Sequence, residues 1–230
     1  MIVAGNWKMY PGPDPAALAA RLAGIDGVEA IVCPPYVGLA ACVEAGLTTF
    51  AQNVHWEAEG AFTGEISPPM LSGLGVAGAL AGHSERRQYF GETDEGVARR
   101  TKAALDAGLR VIACVGESRE ERDAGETETV LRVQVGAIAS VCGPHERLLI
   151  AYEPVWAIGT GLTATPAMAQ EAHAIVKSVL DRPVLYGGSA KPENVAELFS
   201  EPDVDGALVG GASLVVESFA AICELAAAAA

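Results

Sequence analysis

The chain's 230 residues are 50% hydrophobic and 19% charged, enough apolar material for a sizeable core, which excludes intrinsic disorder as the main state. Its 15 basic residues face 29 acidic ones, a formal net charge of −14. So acidic a surface repels phosphate backbones and anionic lipid, so no nucleic acid and no membrane is expected as a partner; a small anion would need a local positive pocket.

Short apolar runs recur in chain order: Ile2–Ala4, Ala30–Val32, Thr48–Ala51, Val76–Ala81, Val111–Val115, Leu148–Tyr152, Val184–Tyr186 and Ala207–Val209. They are unbroken rather than alternating, the pattern of strands buried on both faces of a parallel sheet. Helical patterns lie between them. Asp14–Ala23 opens on an Asp-Pro cap, Thr93–Ala107 runs from a threonine cap to Gly108, Thr165–Leu180 opens on Thr-Pro, and Lys191–Phe199 follows a Pro192 start. Eight such units at a mean spacing of roughly 29 residues predict a closed eight-stranded parallel β/α barrel over residues 1–230. An open doubly wound sheet is the architectural alternative. The alanine-rich end, 226–230, is expected to fray.

The five cysteines, Cys33, Cys42, Cys114, Cys142 and Cys223, are odd in number and lack C-x-x-C spacing. A disulfide framework or zinc site is therefore not expected, and a reducing, cytoplasmic setting fits best. The first residues carry no basic stretch ahead of an apolar one, so no secretory signal is expected. The longest uncharged run, Ile66–Ser84, contains Pro68 and Pro69 and would span a bilayer poorly.

In a β/α barrel the chemistry sits at the C-terminal ends of the strands. The first run ends in Asn6-Trp7-Lys8, the fourth in Gly82-His83-Ser84-Glu85, the sixth in Glu153-Pro154, the seventh in Gly187-Gly188-Ser189 and the eighth in Gly210-Gly211. Lys8 offers a fixed positive charge, although a lone lysine past a strand also reads as a surface residue. His83 precedes a helix start, whose positive potential favours neutral imidazole; a structurally satisfied histidine is the alternative. Apolar neighbours of Glu153 (Tyr152, Val155 and Trp156) would raise its proton affinity toward that of a general base, unless an arginine pairs with it. The glycine turns after the last two strands are anion nests in waiting. Residues 154–164 place Val155, Trp156 and Ile158 between Pro154 and Gly159-Thr160-Gly161, an apolar tip suited to a closing lid.

Gly5-Asn6-Trp7-Lys8-Met9, Gly82 to Arg87, Ala151 to Gly161 and Tyr186 to Ser189 together resemble the signatures of the triosephosphate isomerase family, and the likeness runs from Met1 to about Leu225. The resemblance implies interconversion of dihydroxyacetone phosphate and D-glyceraldehyde 3-phosphate without a cofactor. Glu153 would be the base and His83 the neutral electrophile, a pairing that belongs to what is established for the family. Lys8 and Asn6 would bind substrate. Gly159, Ser189, Gly210 and Gly211 would hold its phosphate, and Glu85 matches a second carboxylate of less settled role. The resemblance also implies a homodimer, with Phe62 and Thr63 buried across a two-fold interface. The chain is about 20 residues shorter than the roughly 250 of a typical barrel, with the trimming around 9–27, 130–144 and 181–183, which leaves dimer against tetramer open. Two other functions are weighed: a different sugar-phosphate isomerase or synthase on the same barrel, and a catalytically silent binding protein. The segment from Glu153 through the lid argues against the first, and the joint presence of Lys8, His83 and Glu153 against the second.

Overall fold

The computed structural model describes residues 1–157 and 164–230. Its strands are β1 (Ile2–Asn6), β2 (Glu29–Cys33), β3 (Thr48–Ala51), β4 (Gly78–Ala81), β5 (Arg110–Val115), β6 (Leu148–Tyr152), β7 (Val184–Tyr186) and β8 (Gly206–Val209). Each pairs in parallel with the next, and β8 returns to β1 in the register Ile2 to Gly206, so the sheet closes into a barrel. The expected fold is the observed one.

The helices are α1 (Pro15–Leu22), α2 (Leu39–Glu44), α3 (Pro68–Gly73), α4 (Ser84–Phe90), α5 (Asp94–Asp106), α6 (Arg119–Asp123), α7 (Thr127–Cys142), α8 (Pro166–Val179), α9 (Val195–Phe199) and α10 (Val216–Ala228). The predicted caps act as caps. The Asp14 carboxylate accepts from Ala17 N at 2.8 Å, and the Thr93 and Thr165 hydroxyls accept from Gly96 N and Met168 N.

Two element starts lie two or more residues from expectation, for identifiable reasons. Strand β4 starts at Gly78, not Val76, because the Val76 N–H is donated to Leu71 O and closes α3. Helix α9 starts at Val195, not Lys191, because the Asn194 side chain takes up the Lys191 N–H and bends 191–194 into a turn. At the C-terminus α10 runs to Ala228, with Ala226 fully buried and residues 228–230 exposed.

Strand alternation divides the core into two layers. Ala4, Ile31, Phe50, Leu80, Ile112, Leu149, Leu185 and Leu208 fill the barrel interior. The intervening residues, among them Val3, Val32, Val111 and Ile150, face outward against Leu18 of α1, Leu131 and Val135 of α7, and Phe219 and Ile222 of α10. A fully buried aliphatic or aromatic side chain contributes about 1.5–3 kcal/mol, so these two layers supply the rigidity on which the rim is built. Arg21 of α1 reaches both Glu217 and Glu224 of α10 at 2.8 Å, joining the first helix to the last. These pairs are exposed and contribute little energy. Among the described residues, no helix is long and apolar enough to cross a membrane.

Candidate active site

Every strand points the same way around the ring, so the polar residues that follow the apolar runs meet at one rim. Asn6, Lys8, His83, Glu153, Ser189, Gly210 and Gly211 line one cavity of about 510 Å³. Glu85 lines an adjoining cavity of about 200 Å³ that also touches Lys8 and His83. Gly159 lies outside the described residues, as does the lid from Ile158 to Thr163.

Lys8 is the one non-glycine residue with positive φ among those described, at 52°. Such a backbone costs on the order of 1–3 kcal/mol and persists only where its surroundings over-determine it. Here the Asn6 carboxamide oxygen accepts the Lys8 N–H at 3.0 Å, and Gln52 Nε2 donates to Lys8 O at 2.7 Å and to Cys33 O at 2.9 Å. The chain is thereby turned so that Lys8 Nζ meets Glu85 Oε1 at 2.6 Å.

His83 is delivered by Gly82, whose φ of +73° is strained for any side chain and whose absent Cβ would sit 2.4 Å from Val97. Arg87 braces this turn, its Nε donating to Gly82 O and its second nitrogen to Cys114 O. His83 caps α4 through Nδ1, which accepts from Glu85 N at 3.3 Å. The acceptor role leaves the proton on Nε2, and Nε2 lies 2.9 Å from Glu153 Oε1.

Glu153 leaves β6 fully buried. Its second oxygen accepts from Ser84 N at 2.7 Å. Gly187 makes the space, since a Cβ there would lie 2.8 Å from Glu153 Cγ and 3.0 Å from Tyr152 O. Burial works to raise the Glu153 carboxyl, but the neighbouring His83, the Ser84 N–H and Lys8 outweigh it and hold the group below the ordinary carboxylate range. For His83 burial pulls the other way, and the Glu153 charge prevails to lift it above the usual imidazole range. In this arrangement Glu153 is therefore an engaged carboxylate, not the proton-avid acid that its apolar sequence neighbours predict. The sequence shows the apolar neighbours, while the polar partners come from α4 and β1.

Trp156 also departs from expectation. It is 9% exposed, not part of an exposed tip. Its Nε1 donates to Glu117 Oε1 at 3.0 Å, an oxygen that also accepts from Tyr152 OH and Arg122. Glu117 is fully buried and Arg122 stacks over the Trp156 ring. The described root of the 154–164 segment, Val155–Ala157, is thus a 3₁₀ turn pinned to the loop after β5. Neither Glu117 nor Gln52 stands out in the sequence as a site residue. Each acts through a partner far along the chain and carries no local motif.

Among the described residues, no group of three or more His, Cys, Asp or Glu is placed to hold a metal ion. All five cysteines are free.

The profile of the family described as Triosephosphate isomerase matches residues 1–226. Proteins named triosephosphate isomerase from Carboxydothermus hydrogenoformans and Chloroflexus aurantiacus are each 50% identical to the chain. The alignments cover 96% and 95% of it, and 96% of each relative. One from Xanthomonas campestris is 49% identical, covering 99% of the chain and 98% of the relative.

Proposed function

The chain belongs to the triosephosphate isomerase family of aldose–ketose isomerases, and from that premise we propose which of its residues perform the reaction and how. Glu153 removes a proton from the carbon beside the carbonyl of a triose phosphate. The electron pair moves into the carbonyl, whose oxygen becomes an enediolate oxygen and takes a hydrogen bond from neutral His83 Nε2–H. The proton is then returned to the neighbouring carbon, and His83 exchanges protons between the two oxygens. Lys8, held by Asn6 and Gln52, stabilises the developing negative charge in a site where low dielectric magnifies its effect. Ser189, Gly210 and Gly211 offer backbone N–H groups to the phosphate, with Gly159 completing the set when residues 154–164 close. Closure matters because an enediolate phosphate tends to eliminate its phosphate, so the group must be held and water kept out until reprotonation.

The observation that carries this reading is the meeting of His83, Glu153 and Lys8 in one cavity with the last two strand-end turns. In the described arrangement Glu153 is tied to Ser84 N and His83, so we read it as a resting form. Its carboxylate must rotate from those partners toward substrate. That rotation also removes the charge that lifts His83, which favours the neutral imidazole its electrophilic role requires.

A coupled assay on D-glyceraldehyde 3-phosphate with no cofactor added for the isomerase is the direct test. Turnover is expected, and none from purified folded protein would refute the reading.

The partner reading rests on the 52–65 segment. Phe62 lies tilted against His55 with ring centroids 4.6 Å apart yet remains 45% exposed, and Thr63 beside it is exposed. The smaller cavity by Glu85 is also lined by Met9, which is 94% exposed, and by Gln52 and Phe90. We read this loop as docking into that cavity of a second copy, which makes a homodimer. The free thiols accord with a reducing, cytoplasmic setting.

A further inference from the structure

The chain has four lysines. Lys8 is paired with Glu85, Lys102 with Asp106, and Lys177 with Asp203 and Asp205. Lys191 has no such carboxylate partner among the described residues, and it lies on the wall of the 510 Å³ cavity beside Ser189, Gly210 and Gly211. Lys8 and Lys191 are the two basic residues of that lining besides His83, and Glu153 and Glu193 are its carboxylates. Lys8 is paired at rest with Glu85, and Glu153 is hydrogen-bonded to His83, so Lys191 is the cation left to meet an incoming anion.

The turn holding Lys191 is built rather than loose. Asn194 Oδ1 accepts the Lys191 N–H at 2.8 Å, and Asn194 Nδ2 donates to Ser189 O at 2.9 Å. The Asn194 and Val195 N–H groups both donate to Lys191 O at 3.1 Å. One carboxamide therefore fixes the root of Lys191 relative to Ser189, and this is the turn that displaces the expected start of α9. A flexible cationic stem on a fixed base, set in an otherwise strongly acidic protein, is suited to capturing a dianion from solution and guiding it to neighbouring backbone donors.

We infer that Lys191 is a further substrate-binding residue that recruits the phosphate dianion, with Asn194 as its positioning residue. The inference rests on the phosphate-binding reading above and adds to the strand-end turns a charge that acts mainly before chemistry.

The test compares wild type with Lys191→Gln, Lys191→Glu, Glu193→Gln and Asn194→Ala. It uses kcat and KM for D-glyceraldehyde 3-phosphate, and the Kd of inorganic phosphate, each from low to high salt. Lys191→Gln is expected to raise KM and the phosphate Kd about fivefold at low ionic strength, with Lys191→Glu larger and Glu193→Gln opposite in sign. The differences should shrink in high salt, kcat should hold, and Asn194→Ala should shift in the same sense as Lys191→Gln. Curves for Lys191→Gln that superimpose on wild type at low salt would overturn the inference. So would an equal loss in turnover of unphosphorylated D-glyceraldehyde, because that substrate has no dianion to recruit. Wild type that binds phosphate without isomerising its ester would refute the isomerase reading, while the Lys191 comparison would still be decided by the phosphate constants.

Discussion

His83 Nε2 and Glu153 Oε1 stand 2.9 Å apart, a hydrogen-bonded pair drawn from the ends of β4 and β6. The histidine is held by its cap contact with α4, and in the proposed reaction the carboxylate is the member that moves. The length of the Glu153 side chain then sets where its oxygen arrives. Glu153→Asp withdraws that oxygen by one methylene, and displacements of about 1 Å can cost roughly 10²-fold in rate. Turnover of the variant should fall by about that factor or more with KM little changed and the circular dichroism spectrum intact. Undiminished kcat would remove Glu153 from the base role.

Gly187 should be almost as demanding as the proposed base. In Gly187→Ala the new methyl would stand 2.8 Å from Glu153 Cγ and 3.0 Å from the Tyr152 carbonyl. The second neighbour is backbone and cannot step aside cheaply. We expect a loss of about 1–3 kcal/mol in stability, as for overpacking elsewhere, together with a fall in kcat as the carboxylate is displaced. Denaturant titration and steady-state kinetics on one preparation check both.

Gln52 supplies one nitrogen to two carbonyl oxygens, Lys8 O and Cys33 O. Gln52→Ala should leave both without that donor and cost about 1–3 kcal/mol. It should also loosen the left-handed backbone at Lys8, so kcat/KM is expected to drop about tenfold. Unaltered kinetics in a destabilised variant would confine Gln52 to stability.

His173 governs an acid limb. It is fully buried in α8, its Nδ1–H donates to Asp203 O at 3.1 Å, and its Nε2 has no partner among the described residues. Burial pushes the imidazole down from 6.5 to about 4, against the upward pull of the Asp203 carbonyl contact and of Asp205; Lys177 adds to the downward shift. A depressed value means the unfolded chain binds the proton first, so stability falls as pH drops from about 6.5 to about 4. Across that window the contribution is on the order of 3 kcal/mol. His173→Phe keeps the bulk and removes the titration, and its stability should vary less with pH there. A wild-type slope in the variant would refute this.

The 52–65 loop is tested by size. Light scattering should report a dimer for wild type and a smaller particle for Thr63→Arg, which places a charge at the tip of the exposed loop beside Phe62. A monomeric wild type would overturn the dimer.

The barrel was readable because burial on both faces leaves each strand as an unbroken apolar run, and such runs are visible without partners. The placement of Lys8, His83, Glu153, Ser189, Gly210 and Gly211 at the rim is legible for the same reason: each lies within four residues of the end of a run, and in this architecture that position assigns the rim. What a linear reading misses depends on distant neighbours. Glu153 looked proton-avid beside Tyr152 and Trp156, yet Ser84 N and His83, some 70 residues earlier by the 69-residue separation of the Ser84 contact, reverse the shift. The burial of Trp156 is hidden in the sequence because Glu117, which accepts its indole N–H, lies 39 residues away. The Lys191 helix start failed through a side-chain-to-backbone bond that competes with helix formation, as asparagine does at helix ends.

The bifurcated grip of Gln52 has a consequence for engineering. Its amide spans the ends of β1 and β2 from a seat on the loop after β3, so the unusual twist at Lys8 is a property of three neighbouring units together. Grafting the Asn6-Trp7-Lys8 segment onto another cylinder would transplant the ammonium without its posture. A portable version of this rim must carry the Gln52 carboxamide along with the lysine it holds.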